Sequence, residues 1–191
     1  MAPNRYTNAA IALHWLIAIG IIANVSLAWI WPLLADESVR PAIDTHKSIG
    51  ITVLGLAIMR LLWRLTHQPP ALPTGYAKWE VTASHVTHWL LYAIIFAMPL
   101  TGWIMDSAWK DAATHPMHWF DLFEWPRIGF VMALPHAQKE GLHDAFGTAH
   151  RLAGYALYGL FALHVAGALK HQWVDRQQEL QRMGLFRRGR C

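Results

Sequence analysis

The stretch Phe146–His171, FGTAHRLAGYALYGLFALHVAGALKH, constrains this chain more than any other. It is apolar for most of its length, yet it carries His150 and His164, fourteen positions apart. On an α-helix, fourteen residues rise about 21 Å and make nearly four full turns, so both imidazoles lie on one face. That separation is most of a bilayer's hydrocarbon thickness and too long for one metal ion. Each imidazole can instead ligate a separate centre, one near each membrane surface.

Composition supports the membrane setting. Of 191 residues 54% are hydrophobic and only 15% are charged, well under the quarter expected of a soluble globular domain. The charges also leave long stretches bare, the profile of an integral membrane protein. The net charge of +4 raises the question of nucleic acid, but the basic residues cluster at the ends of apolar segments. Topology explains that better, and no nucleic-acid partner is expected. The sole cysteine, Cys191, excludes an intramolecular disulfide, a Cys-rich zinc site and an iron–sulfur cluster. The attachment signature of covalent haem is absent too. No cleavable signal peptide is expected, because the first apolar stretch is too long and lacks a small-residue cleavage site.

The expected fold is all-α: a single domain, 1–191, forming an integral membrane bundle of four helices. The first span covers about 8–31, with His14 near its start and Trp29 and Trp31 at its far end. Residues 33–44 read as a short acidic loop. The second span, 46–65, opens at His46 and ends with Arg60 and Arg64. Pro69, Pro70 and Pro73 forbid a continuous helix in the linker from Gln68 to Lys78. The third span, 82–105, holds His85, His88 and a kinking Pro99. A long non-spanning loop, 106–145, follows, whose WFDLFEW run reads as an amphipathic interfacial segment. The fourth span is 146–170, and 172–191 form a polar basic tail. With both termini cytoplasmic, ten of the sixteen basic residues lie inside and nine of the twelve acids outside. That is the positive-inside arrangement.

On this topology the histidines sort by depth. His14 and His164 fall near the cytoplasmic surface, His46 and His150 near the opposite one. Each pair could clamp one planar macrocycle between helices, with an imidazole on either face of its iron. Two neutral imidazoles leave no open position, which suits electron transfer rather than oxygen binding. Gly50, Gly147, Gly154 and Gly167 would let a flat ring approach the backbone, and Arg60 or Arg64 could pair with its propionates. His85 or His88 could replace His14 or His164. A single membrane histidine can also simply hydrogen-bond across a bundle. A zinc or proton site would want carboxylates within the spans, which contain essentially none.

The motifs IALHW, THKSIG, SHVTHWLLY with MPLTGWIM, and AHRLAGYALYGLFALH together resemble the bacterial di-haem cytochrome b561 family. The likeness runs from about Tyr6 to Trp173. It implies a four-helix bundle in the bacterial inner membrane with two non-covalent b haems, axially ligated by His14, His46, His150 and His164. In the small members of the family it further implies superoxide oxidation at the periplasmic face and ubiquinone reduction near the cytoplasmic haem. His88, His171 and Lys78 are the candidates for the quinone, and Arg40, Lys47 or Arg151 for steering the anion. The rival expectations are an electron-transfer subunit whose donor is a periplasmic redox protein docked on the 106–145 loop, and a haem-free structural or transport protein.

Overall fold

A computed structural model describes residues 5–72 and 75–184; Pro73, the arginines from Arg187 onward and Cys191 lie outside these residues. Helix α1 spans Asn8–Ile30 and starts where the Thr7 hydroxyl accepts a hydrogen bond from the Ala10 N–H at 3.3 Å. A single 3₁₀ turn, Trp31–Leu33, follows it. Helix α2 is Asp36–Thr66 and α3 is Lys78–Ser107, where Glu80 reaches back to accept from the Ala77 N–H at 3.0 Å. A short β1, His118–Trp119, and β2, Phe123–Glu124, precede α4, Gly129–Met132. Helix α5 is His136–Leu169; it passes into a π-helical turn, Lys170–Val174, and α6 is Glu179–Arg182. Four segments are long and apolar enough to cross a bilayer: Asn8–Leu33, Asp36–Thr66, Lys78–Ser107 and His136–Val174. Their outer faces present Leu16, Ile19, Leu62, Leu100 and Leu163, all exposed as lipid-facing side chains are.

The helices are longer than hydropathy suggests. The acidic stretch expected as a loop is the first turns of α2, where Asp36 and Glu37 favour the positive end of the helix dipole. Pro41 lies inside that helix and costs it one backbone hydrogen bond without ending it. Likewise α5 begins ten residues before the apolar run, after Pro135 at its N-cap. Its polar first turns simply project beyond the hydrocarbon.

Within the bundle α1 packs on α2, α3 packs on α5, and α2 joins the halves through α3. The approach of α1 to α2 is close: a Cβ on Gly20 would sit 2.8 Å from Val53 Cγ2. Between α5 and either α1 or α2 the backbones make at most marginal contact. Ile17, Val53, Ala57 and Leu157 are the buried apolar residues of the spans' middle. Leu157 stands seven residues from each of His150 and His164, so a buried apolar side chain lies midway between their levels.

At the end of the bundle holding His46, the WFDLFEW run expected as an amphipathic interfacial segment is a short hairpin. It forms an antiparallel ladder pairing His118 with Glu124 and Trp119 with Phe123. Phe120 and Asp121 make its turn at φ 47° and 57°. Docking on α2 imposes this: the Phe120 N–H donates to Ser48 Oγ at 3.0 Å and Trp119 Nε1 donates to Thr52 Oγ1 at 3.0 Å. At the other end the polar tail is folded as far as it is described. Arg182, 4% exposed, donates through Nη2 to the Pro70 and Ala71 carbonyls at 3.2 and 2.7 Å, and Trp15 Nε1 donates to the Met183 carbonyl at 2.9 Å. Arg182→Met keeps the aliphatic stem but strands both carbonyls and removes the ion pair with Glu179, which keeps only its bond from Tyr76. It is expected to cost about 2–4 kcal/mol, read as a lower Tm in detergent.

Candidate functional site

The phase of α5 carries His150 and His164 to the face that looks across the unpacked interface toward α1 and α2. There His164 meets His14 of α1, with ring centroids 6.1 Å apart and planes at 69°. His150 meets His46 of α2, with centroids 6.2 Å apart and planes at 70°. All four rings are half-buried, and the facing helices make little backbone contact with one another.

This separation can be compared with a bis-imidazole centre. First-row metal–imidazole bonds run about 2.0–2.1 Å. Adding roughly 1.1 Å from nitrogen to ring centre on each side puts such centroids about 6.3 Å apart. Both pairs match that spacing, and both bridge the one interface where helices stand apart. The donor set therefore fits an iron macrocycle held at each level, with the imidazoles on opposite faces.

Secondary contacts orient the outer pair. His46 Nδ1 lies 3.1 Å from the Asn24 carbonyl, and His150 Nδ1 lies 3.0 Å from the Met98 carbonyl and 3.1 Å from Thr101 Oγ1. An Nδ1–H donated to a carbonyl leaves Nε2 as the free lone pair. A Cβ on Gly102 would meet the His150 ring at 3.4 Å, so α3 packs closely against that imidazole. Asn24, Met98, Thr101 and Gly102 escaped the sequence reading. Backbone acceptors carry no residue signature, and Pro99, beside Met98, was the one hint that this helix is locally distorted.

The remaining candidates fall into separate groups. His88 binds the Ser84 carbonyl through Nδ1 at 2.7 Å, and its ring stands 5.2 Å from that of His164. His85 has no such neighbour among the contacts described. Arg60 donates to the Ala10 carbonyl at 3.0 Å and to the Tyr92 hydroxyl at 3.2 Å, while Arg64 lies 6.0 Å from the Trp89 and Tyr92 rings. A Cβ added to Gly50 or Gly154 would meet Asn24 Nδ2 at 3.6 Å or Met98 Cε at 4.0 Å. Both are ordinary helix-packing contacts.

His171 does not join His88. Its Nδ1 is 2.6 Å from Asp175 Oδ2 and its ring stacks on Tyr76 at 4.2 Å. Lys170 bridges Glu80 and Asp175 beside it. Hydrogen bonds from Lys170 and then His171 hold the Asp175 carboxyl below the usual carboxylate range. Burial, aided by the bond to Glu179, pushes the Tyr76 phenol up. Lys78, at the first turn of α3, is exposed and engages none of these groups among the contacts described.

On the outer side Arg40, Lys47 and Arg127 are neutralised. Arg40 pairs with Asp44 at 3.0 Å, and Lys47 pairs with Asp106 at 2.7 Å and Asp44 at 3.4 Å. Arg127 joins Asp106 at 2.8 Å. Arg151, beside His150, meets only Thr148 Oγ1 at 3.4 Å among the described contacts, in a cleft with His143 and Met105.

A multi-pass membrane bundle with imidazoles paired at two levels across an open helix interface has the architecture of a transmembrane b-type cytochrome. The chain belongs to the prokaryotic cytochrome b561 family, whose model matches residues 5–184. It is 30% identical over 183 residues to "Cytochrome b561 homolog 2" of Escherichia coli K12, covering 95% of this chain and 92% of that protein. It is 28% identical over 195 residues to "Probable superoxide oxidase CybB" of Yersinia pestis, covering 97% and 98%. "Cytochrome b561 homolog 1" of Escherichia coli K12 is 22% identical over 182 residues. The protein is thus a bacterial membrane cytochrome of the electron-transferring, b-haem class.

Proposed function

We propose that the two histidine pairs hold two haems b and that the chain moves electrons from the periplasmic side to the membrane quinone pool. The observation that carries this is the equal spacing of the pairs, 6.1 and 6.2 Å, at two levels of one interface. His46 and His150 are the outer ligands, oriented through Nδ1 by the Asn24 and Met98 carbonyls; His14 and His164 are the inner ones. Arg60, bonded to the carbonyl of Ala10 one turn from His14, is the base assigned to a propionate. Haem, when bound, supplies a reversible one-electron iron couple that bis-imidazole ligation keeps low-spin and closed to oxygen. Leu157, Ile17 and Val53 keep water out of the layer between the two levels.

The donor assigned is superoxide and the acceptor ubiquinone. Two superoxide anions give up one electron each and leave as dioxygen; the quinone takes two electrons and two protons to become the quinol. The name of the Yersinia pestis relative supports the donor. On this reading both termini are cytoplasmic and the membrane is the inner one. Arg151 is the steering base, since Arg40 and Lys47 are spent on carboxylates. His88, beside the inner pair, and His171, poised by Asp175, are the residues assigned to the quinone, with Lys78 at the membrane surface. Electrostatic steering by a focused positive site raises association rates by 10–10³-fold. Arg151→Gln is therefore expected to slow haem reduction by superoxide severalfold, with a flatter salt dependence and an unchanged spectrum. Stopped-flow mixing of the oxidised wild-type protein with superoxide tests the donor: reduction of haem and then of added ubiquinone is expected, and haems that stay oxidised would overturn it.

A second reading has its own observation. Phe120, Leu122, Phe123 and Phe130 are exposed around the hairpin on the outer end, a surface suited to a docked redox protein. Co-purification of a periplasmic haem or copper protein would favour it. Family membership leaves the haem-free reading without support.

A further inference from the structure

We propose that the cleft between the start of α1, the end of α2 and the following linker binds the phosphate of an acidic phospholipid from the leaflet on that side. Arg5, Arg60 and Arg64 all line it, and no carboxylate does. None of the three forms an ion pair among the described residues. With Arg60 assigned to a propionate and held by the Ala10 carbonyl and the Tyr92 hydroxyl, Arg5 and Arg64 are the guanidiniums left without a counter-charge, and each offers a fork of donors matched to phosphate oxygens.

The walls are built rather than loose. Arg60 is fixed at the back by the Ala10 carbonyl and the Tyr92 hydroxyl. Trp63 donates to Thr7 Oγ1 at 2.9 Å, closing α2 on the entry to α1. The His67 ring stacks flat on Trp63 at 3.8 Å and 5°. The cavity measures about 60 Å³. At about 10–15 Å³ for each water-sized occupant, it takes about four to six such atoms, a phosphate but not a quinone ring.

Position decides between lipid phosphate and free phosphate. The cleft lies where α2 leaves the bilayer, and Leu62 and Leu65, beside Trp63 and Arg64, are 58% and 72% exposed. A head group seated among the arginines would lay its acyl chains along these leucines. Basic pockets between membrane helices on the positive side recognise acidic lipids in this way.

The test uses the full chain with its haem, delipidated and then exchanged into nanodiscs of phosphatidylglycerol or of phosphatidylcholine, with retained lipid read by native mass spectrometry. The wild type is expected to retain phosphatidylglycerol at least fivefold over phosphatidylcholine and to melt higher in it. Arg5→Gln and Arg64→Gln are each expected to lose most of that preference, Arg5→Gln at unchanged haem content. Millimolar inorganic phosphate should not reproduce the stabilisation. Equal retention of the two lipids, an undiminished preference in both variants, or equal stabilisation by inorganic phosphate would each overturn the proposal. So would loss of haem in the variants, which would assign these arginines to the cofactor's carboxylates.

Discussion

In His46→Ala, haem per chain is expected to fall from two to one, and His164→Ala is expected to lose the other haem. The outer and inner pairs share α5 but stand about 21 Å apart along it, with Leu157 buried between them. Substitutions that far apart act independently. A macrocycle left with a single imidazole loses one of its two axial bonds and the clamp across the interface. The two single variants should therefore remove different components from the reduced-minus-oxidised spectrum, and the double variant should be colourless. Thr101 gives a graded result: loss of a hydrogen-bond partner that orients a ligating histidine typically costs 10–100-fold in affinity, so Thr101→Val, which removes the hydroxyl 3.1 Å from His150 Nδ1, should weaken the outer site without abolishing it. Variants that keep two haems with unchanged spectra would sink the ligand assignment.

The second large effect is expected at Asp106. Its carboxylate, 8% exposed, lies between Lys47 at 2.7 Å and Arg127 at 2.8 Å, and the Arg127 side chain is 4% exposed. Arg127 also donates to the Ala112 and His115 carbonyls, both at 2.6 Å, so the triad fastens the segment after α3 onto α2 beside His46. Asp106→Ala leaves the buried Arg127 guanidinium without its carboxylate and Lys47 with only the longer contact to Asp44, and breaking a buried pair from one side costs about 3–5 kcal/mol. A Tm lowered by several degrees is expected, with new tryptic cleavage at Arg127, which burial protects in the wild type. Restoring charge with Asp106→Glu should recover part of the loss. Unchanged melting and unchanged cleavage in Asp106→Ala would contradict this account of the cap.

Why were the paired histidines legible and their surroundings not? Phase and depth are properties of spacing alone. Fourteen residues on a helix predict a shared face, and hydropathy predicts depth, so the pairs His14 with His164 and His46 with His150 follow from the sequence. The structure brings the same residues within 6.1 and 6.2 Å. The hairpin at 118–124 follows no such rule. Its turn falls on Phe120 and Asp121 rather than on the Asn-Gly favoured at positive φ, and it exists because Ser48 and Thr52 of α2 hold it. Tertiary contact overrode local preference there. Arg182 shows the same limit. It reads as part of a solvated tail, yet it is buried because the proline-broken linker presents the free carbonyls of Pro70 and Ala71. Helix ends failed in one direction only, since polar turns of α2 and α5 continue past the membrane where hydropathy stops seeing them.

The central claim is that two bis-imidazole haems sit at two levels of one bundle. The most direct test is a dithionite-reduced minus oxidised optical spectrum of the purified chain, with haem quantified against protein. The account predicts two low-spin b-type haems per chain. One haem per chain, or high-spin bands from a single axial ligand, would contradict it.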